Sequence, residues 1–443
     1  MRVCLLSYRS YPYSGGQGIY VRHLSRSLRD LGHEVDVISG PPYPELDEGI
    51  RLIKLPSLDL YSLPQSKRFF VSPEKLGSVP SLVEWLGVCA GFFTEPATFG
   101  MRAYHFLREQ SRYRSYDVVH DNQSLSYSIL KIKELGIPVV ATIHHPITID
   151  RDLALKAAKS WWQKMGIRRW YSFANTQIKV AQRLSHFITG SESARREIID
   201  IFRIPESSIR VIYDGVDTSV FTPDVSVQRM ENRLLTVNSG DIPLKGLKYL
   251  LEAIAAIRTQ RNIELVIVGK PMKNGYTEGI IESLGIGDCV IYTGKIPTHE
   301  LVRHYSLATI VVVPSVYEGF GLPAAEAMAC GAPVISTTAG ALPEIVGDAG
   351  ILVPPANSEA LARAIVALLD APDRRRQLGE KGHRRVREMF NWHNTAKQTA
   401  EVYQEAINFF NSAKRSVPIP AVASRQAAPG NQLTKSLSGA VER

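Results

Sequence analysis

The sequence lacks any apolar run of the roughly 18 residues that a membrane-spanning helix requires. It also holds only four cysteines in 443 residues. These cysteines lie far apart, without metal-site spacing, and each stands beside apolar residues, which predicts reduced thiols in the core: Cys4, Cys89, Cys289 and Cys330. The opening "MRVCLLSY" is shorter than a secretory signal and has the pattern of a first strand. Together these features predict a cytoplasmic protein without structural disulfides.

Positive charge is concentrated in one segment. The net charge is +9, yet residues 151–196 alone carry ten Lys and Arg against two acidic residues. The same segment contains Trp161, Trp162 and Trp170. It fits an interfacial helix on an anionic membrane surface, and it fits equally well an ordinary solvated face with tryptophans packed inside. No recognised nucleic-acid module accompanies the charge, so nucleic-acid binding is not expected.

The pattern of the chain predicts an α/β protein with two doubly wound domains. Apolar, β-branched strands such as "RVCLLSY", "PVVATIHH", "IELVIVGK" and "TIVVVPS" alternate with amphipathic helices, which indicates parallel sheets covered on both faces. A length of 443 residues suits two such cores. We expect an N-terminal domain at 1–215, a second domain at 216–387, a helix at 388–412 that returns to the first domain, and a disordered tail at 413–443.

Polar residues follow the predicted strands at the edge where ligands of such sheets bind. His120 and Asn122 end one strand, and His144 and His145 end the next. A lone histidine in such a place is often structural, but three together favour a site.

The stretch "SVYEGFGLPAAEAMACGAPVIS", residues 315–336, places two glutamates around a glycine-rich turn. Pro323 suits the first turn of a helix, and Gly319 and Gly321 let the backbone approach a ligand. The amino end of a helix attracts anions such as a diphosphate. We expect Glu326 in the first turn, kept ionised by the helix dipole, and Glu318 on the other side of the ligand.

This stretch resembles the E-x7-E segment of the retaining glycosyltransferases of family four, which have the GT-B fold. The resemblance extends over residues 1–412 through "SGGQGIYVRHLSRSLRDLGHEVDVIS", "DGVD", "LKGLKYLLEA", "GALPEIV" and "FNWHNTA". It implies two Rossmann-like domains facing across a cleft, with the acceptor on the side of the first domain and the nucleotide-sugar in the second.

The resemblance also implies roles for individual residues. Glu318, Lys245 and His144 would act in catalysis, with Lys245 neutralising the leaving diphosphate. The implied donor-binding residues are Gly16, Lys245, Gly319, Phe320, Gly321, Leu322 and Glu326. The implied acceptor-binding residues are His120, Asn122 and His145.

Two features depart from the pattern of the resembled family. The family usually has an arginine a few residues before Lys245, whereas this chain has Gly240 and Asp241 there, and it has Asp214 where asparagine is common.

The acidic pair Asp150 and Asp152 does not lie directly at a strand end, where a metal would be held. We therefore expect transfer without a metal or other cofactor, because basic side chains such as Lys245 would hold the diphosphate in the metal's place.

The predicted function is the transfer of a sugar from a nucleotide-sugar to a hydroxyl acceptor, possible acceptors being a lipid-linked molecule or a polysaccharide precursor. UDP-sugars are the first expectation for the donor and GDP-mannose the second. The alternatives are a sugar-nucleotide epimerase, a phosphorylase, or a non-catalytic sugar- or membrane-binding protein on the same scaffold. We expect a cytoplasmic location, with peripheral attachment to the inner face of the membrane as a further option, and the sequence leaves the oligomeric state open.

Overall fold

A computed structural model describes residues 1–11, 16–111, 115–238, 242–271 and 275–415 of the chain. Within these ranges the chain builds two parallel sheets, each between layers of helices. This arrangement confirms the predicted pair of doubly wound α/β units. The tail predicted at 413–443 lies outside the described residues from 416 onward, and its prediction was wrong for residues 413–415, which end a helix.

The first sheet has the strand order β3-β2-β1-β4-β5-β6-β7, and all its pairings are parallel. Its strands are β1 (Arg2–Ser7), β2 (Glu34–Ser39), β3 (Arg51–Lys54), β4 (Val118–Asn122), β5 (Val139–Thr142), β6 (Phe187–Thr189) and β7 (Ile209–Val211). The helices of this half are α1 (Gly16–Asp30), α2 (Val79–Cys89), α3 (Glu95–Gln110), α4 (Tyr127–Glu134), α5 (Ile147–Ala157), α6 (Trp161–Trp170), α7 (Phe173–Ala181) and α8 (Glu192–Phe202). We call this half the N-domain.

The second sheet has the order β10-β9-β8-β11-β12-β13 and is also parallel. Its strands are β8 (Arg233–Val237), β9 (Glu264–Val268), β10 (Val290–Gly294), β11 (Ile310–Val313), β12 (Val334–Thr337) and β13 (Ile351–Val353). The helices are α9 (Leu247–Arg258), α10 (Tyr276–Leu284), α11 (Thr298–Leu307), α12 (Leu322–Ala329), α13 (Leu342–Val346), α14 (Ser358–Leu369) and α15 (Pro372–Met389). We call this half the C-domain.

The last described helix, α16 (Trp392–Arg415), packs against α1 and the first sheet rather than the second. Trp392, Ala396 and Tyr403 are buried there in one apolar cluster with Val3 and Tyr20. The C-terminal segment therefore forms part of the core of the N-domain.

Strand order reverses between β1 and β4 in the first sheet and between β8 and β11 in the second. Helices on opposite sides of a reversal diverge and leave a crevice at the carboxyl ends of the strands. The turn between β11 and α12, which carries the two motif glutamates, lies beside the reversal of the second sheet. The fold thus brings the sequence motif to the edge where a ligand is expected.

One detail of the fold differs from the sequence predictions. Cys4, Cys289 and Cys330 are buried, but Cys89 is exposed at the end of α2, so the prediction of a core thiol was wrong for that residue. No helix in the described part of the chain is both long enough and apolar enough to cross a bilayer.

Candidate active site

The amino end of α12 is fixed by the glycine and proline that precede and open it. Gly321 caps the helix with φ of 106°, a conformation that strains other residues, and Pro323 stands in the first turn. Ala324, Ala325 and Met328 are fully buried and hold the helix on the second sheet. The positive end of the helix dipole is therefore held in a fixed place at the carboxyl edge of β11.

Lys245 and Glu318 meet beside this helix end. The Lys245 Nζ donates to Glu318 Oε1 at 2.6 Å, and the Ser315 hydroxyl donates to the same oxygen at 2.9 Å. Lys245 ends a short turn before α9, and Gly246 next to it has φ of 65° with its Cα close against the carbonyl of Pro314. The two loops are thus packed tightly together. A cation and a carboxylate 73 residues apart become neighbours at the site.

Glu326 lies in the second turn of α12, so its expected place in the first turn was wrong. The Tyr305 hydroxyl donates to its Oε2 at 3.1 Å. Burial raises the pKa of Glu326 to about 7, with the Tyr305 hydrogen bond opposing the shift. Desolvation therefore outweighs the helix dipole that was expected to keep the carboxyl ionised.

His144 faces this loop from the N-domain. A Cβ placed on Gly319 would lie 3.3 Å from the His144 carbonyl oxygen. The His144 Nε2 bonds to Asn122 Oδ1 at 2.8 Å; because that oxygen only accepts, Nε2 carries the proton and Nδ1 is left as an acceptor. Burial, followed by the neighbouring His145, lowers the pKa of His144 to about 3. The ring is therefore neutral at physiological pH.

His120 and Asn122 are buried beneath the site and do not line it. His120 is 1% exposed, and its ring nitrogens bond to the hydroxyls of Tyr403 at 2.6 Å and Thr142 at 2.7 Å. Asn122 is 2% exposed and orients His144. The placement of these two side chains argues against their expected contact with an acceptor, because β4 is a central strand that α16 covers.

The remaining predicted residues lie around the same turn. Phe320 is buried and packs edge-on against Phe390, with 5.9 Å between ring centroids, while Leu322 opens α12. His145 bonds to Asp150 at 2.9 Å and lies beside the Tyr317 ring of the C-domain. Gly16 is exposed at the start of α1.

Gly240 and Asp241, which precede Lys245 in the sequence, lie outside the described residues. Among the residues that are described, no group of three or more His, Cys, Asp or Glu side chains could hold a metal ion.

Glu344, in the segment "GALPEIV", joins the two domains, a role that the sequence alone did not indicate. Its carboxylate accepts from the amides of Glu192 at 2.8 Å and Ser193 at 2.7 Å, which open α8 of the N-domain. The Tyr213 hydroxyl donates to it at 3.2 Å, and the Ser191 hydroxyl donates to the Gly319 carbonyl nearby at 2.9 Å. A carboxylate at the start of a helix is a strong partner for the positive end of the dipole.

Residues 151–170 of the basic segment belong to two helices, α5 and α6, where the sequence predicted one interfacial helix. Ser160 ends the break after α5 and caps α6 through a reciprocal capping box with Gln163. Trp161 and Trp162 are 60% and 63% exposed and stack on each other, whereas Trp170 packs against Tyr61 and Phe93. Two of the three tryptophans are therefore on the surface.

A separate cavity of about 670 Å³ lies away from these residues. It is lined in part by Asn232, Thr309 and Pro333, which precede strands β8, β11 and β12, so it opens at the amino edge of the second sheet. The guanidinium of Arg229 in its wall is already bound to main-chain carbonyls. This cavity therefore lies at the opposite edge of the second sheet from the motif residues, which follow the carboxyl end of β11.

Comparison with known proteins agrees with this geometry. Residues 14–220 match the family model described as Glycosyltransferase Family 4, and residues 224–385 match the one described as Glycosyl transferases group 1. The MMP alpha-(1->4)-mannosyltransferase of Mycolicibacterium hassiacum is 45% identical over 411 residues, which cover 92% of this chain and 98% of that protein. A D-inositol 3-phosphate glycosyltransferase of Thermobispora bispora is 29% identical, with coverage of 92% and 93%.

Among solved structures, sucrose-phosphate synthase from Thermosynechococcus elongatus aligns with a TM-score of 0.70 and 25% identity, covering 92% of this chain and all of that one. The two facing parallel sheets are the GT-B arrangement, and the motif residues meet between them. The chain is a glycosyltransferase and belongs to glycosyltransferase family 4.

Proposed function

We propose that the chain is a retaining mannosyltransferase that moves mannose from a nucleotide-mannose to a hydroxyl of a saccharide acceptor, in α(1→4) linkage. The sugar and linkage follow the printed name of the relative that is 45% identical over nearly the full length of both chains. For that reason GDP-mannose replaces UDP-sugars as the first candidate donor. The observation that carries the transfer chemistry is the Lys245–Glu318 pair, at 2.6 Å, beside the amino end of α12.

Departure of a nucleoside diphosphate develops negative charge on the leaving group, and the amino end of α12 with Lys245 would stabilise it. Glu326 would accept hydrogen bonds from the paired ribose hydroxyls, which are strong ligands for an ionised carboxylate. Because Lys245 supplies a fixed positive charge, we propose that no metal or other cofactor takes part. We expect full activity after dialysis against EDTA. A loss of activity that Mg²⁺ or Mn²⁺ restores would overturn the proposal that no metal takes part.

Retention of configuration would follow from attack on the face that the diphosphate leaves. The acceptor hydroxyl forms the new bond to the anomeric carbon, the bond to the diphosphate breaks, and a diphosphate oxygen takes the hydroxyl proton. His144, neutral because its pKa is lowered to about 3, would bind a donor-sugar hydroxyl through Nδ1 and would not act as an acid. Glu318 would stay paired with Lys245 until the diphosphate competes for the cation.

An epimerase or a non-catalytic binding protein on this scaffold remains the alternative reading. Both are disfavoured by the relative, whose name specifies transfer of mannose. A sugar-nucleotide epimerase would convert the donor without an acceptor, whereas a transferase yields a larger saccharide only when the acceptor is present.

We also propose that the chain works in the cytoplasm and attaches to the inner face of the membrane. The support is the exposure of Trp161 and Trp162 within a strongly basic segment. Such attachment would suit a lipid-linked acceptor as well as a polysaccharide precursor.

The test is a thermal-shift panel of GDP-mannose, UDP-glucose and ADP-glucose, followed by transfer to α(1→4)-mannotetraose. A ligand that binds only the folded chain raises its melting temperature in proportion to the logarithm of its concentration over Kd. GDP-mannose should give the largest shift, and proton NMR of the product should show a new α(1→4) linkage. A larger shift with a UDP-sugar, together with transfer of that sugar, would overturn the mannose assignment and leave the site assignment intact.

A further inference from the structure

Five charged side chains that the proposed chemistry does not use gather at the carboxyl edge of the first sheet. Arg9 bonds to Glu95 at 2.9 Å and lies 3.9 Å from Asp59, and Arg102 bonds to Glu84 at 2.8 Å. Glu84 is fully buried and Glu95 is 6% exposed. Ionic groups are rarely buried this deeply unless they are paired or serve a ligand.

A narrow cavity opens among these side chains. It is lined by the loops that follow the first three strands and by the start of α3, including Tyr8, Pro41, Leu55, Glu95, Thr98 and Arg102. The free interior volume is about 10 Å³, which suits about one water-sized group. A single hydroxyl group of a sugar therefore fits, whereas a hydroxymethyl arm or a whole pyranose ring does not.

Polar atoms around this cavity are left unused. Within the described parts of the chain, Glu95 Oε2 and Arg102 Nη1 are buried without a hydrogen-bond partner, and so are Glu84 Oε1 and Arg9 Nε. Leaving buried polar atoms unpaired is costly, so such a group of donors and acceptors is best explained by a polar guest that pairs with them. Glu95 and Arg102 line the cavity itself.

The cavity is connected to the donor site through a short series of contacts. Arg9 comes two residues after Ser7, whose hydroxyl accepts from Asn122 Nδ2 at 3.4 Å. Asn122 in turn holds His144 at 2.8 Å, and the His144 backbone lies against Gly319 of the motif turn. The cavity and His144 therefore both lie at the carboxyl edge of the first sheet, linked by these contacts.

The charge balance of the cluster favours an uncharged guest. Asp59, Glu84 and Glu95 outnumber Arg9 and Arg102, and both guanidiniums are already paired with carboxylates. Even when Glu95 is protonated, Asp59 and Glu84 balance the two arginines, so no positive charge is left over to bind a phosphate. Burial raises the pKa of Glu95 to about 7 despite the opposing effect of Arg9, so its carboxyl can donate as well as accept near neutral pH.

We propose that this cavity receives a hydroxyl group of an uncharged saccharide acceptor, held by Glu95 and Arg102, and selects against phosphorylated acceptors. The inference rests on the proposed transfer of mannose and names the acceptor class of the same site. It separates this chain from relatives whose names specify D-inositol 3-phosphate.

The test compares Glu95→Gln and Glu95→Asp with the wild type. Glu95→Gln removes the negative charge of the carboxylate, and Glu95→Asp shortens the side chain by one methylene and so draws the carboxylate away from the cavity. Steady-state rates with α(1→4)-mannotetraose should show acceptor KM raised about tenfold or more, as expected for loss of a hydrogen bond to a charged group. The Kd for GDP-mannose, measured by calorimetry, should stay within about twofold, because the donor site is untouched.

The matched control is Glu264→Gln in β9, which removes a carboxylate 3.1 Å from Arg233 in the other domain. Its acceptor KM should not change. As a measurement that needs no variant, the methyl NMR signals of Leu55 and Thr98 in the wild type should shift with mannotetraose more than with D-inositol 3-phosphate.

The outcomes separate the two proposals. A wild-type chain that binds no nucleotide-sugar contradicts the proposed function. A chain that binds and uses the donor, while both Glu95 variants keep the wild-type acceptor KM, overturns the cavity assignment alone. Tighter binding of D-inositol 3-phosphate than of mannotetraose also overturns it.

Discussion

Replacing Lys245 by alanine should reduce kcat by about 10²–10³-fold. A unit charge about 4 Å from the developing diphosphate charge, at an effective dielectric constant of about 20, is worth about 4 kcal/mol. Loss of one donor to a developing anion costs about 2.7–4 kcal/mol in measured enzymes. The Lys245 side chain is 29% exposed, so solvent weakens its effect and favours the lower end of this range.

The assay is initial-rate kinetics at saturating GDP-mannose and mannotetraose, with donor Kd measured separately by calorimetry. Lys248→Ala is the matched control, because Lys248 lies three residues further on, is 44% exposed and pairs with Glu252 on its own helix at 3.7 Å. It should keep kcat within about twofold. A loss of less than about fivefold in Lys245→Ala would refute the role of this lysine in stabilising the leaving group.

Three further predictions follow from the same structure. Because the pKa of Glu326 is about 7, the ionised fraction of its carboxyl falls about tenfold from pH 8 to pH 6. The affinity for GDP-mannose, measured by calorimetry, should therefore fall by about the same factor. Glu326→Gln should remove this pH dependence, and an affinity that still depends on pH in that variant would contradict the contact between Glu326 and the ribose. Glu344→Ala should lower the free energy of unfolding by roughly 1–3 kcal/mol in urea titrations, because the α8 amides lose their partner. The exposed Glu359→Ala is its control, and equal stability of the two variants would argue against the interdomain role. The wild-type chain should sediment with phosphatidylglycerol vesicles, and a Trp161→Ala, Trp162→Ala double variant should lose this binding while it keeps its activity on a soluble acceptor. A wild-type chain that stays in the supernatant would refute membrane attachment.

Much of the fold could be predicted because buried parallel strands are short, continuous apolar runs. β1, β5, β9 and β11 are of this kind, and each was predicted within two or three residues of its observed bounds. β3 was missed because it is an edge strand with exposed ends and only partly buried middle residues. β7 was missed because three residues are too few to show a pattern.

The candidate site could be predicted where its residues are close in sequence and only partly where they are not. The spacing of Glu318 and Glu326 on one turn and one helix is visible in the chain. By contrast, His120 looks like a cleft residue until α16, 283 residues away, covers it with Tyr403. The Glu95 cavity joins residues from four separate segments, so only the tertiary structure reveals it.

The most direct test of the account is a crystal structure of the chain with an intact nucleotide-sugar bound. The account predicts the diphosphate against the amino end of α12 within reach of the Lys245 ammonium, the ribose on Glu326, and the sugar facing His144. A nucleotide bound elsewhere, with the Lys245–Glu318 pair undisturbed and the α12 end facing solvent, would contradict it.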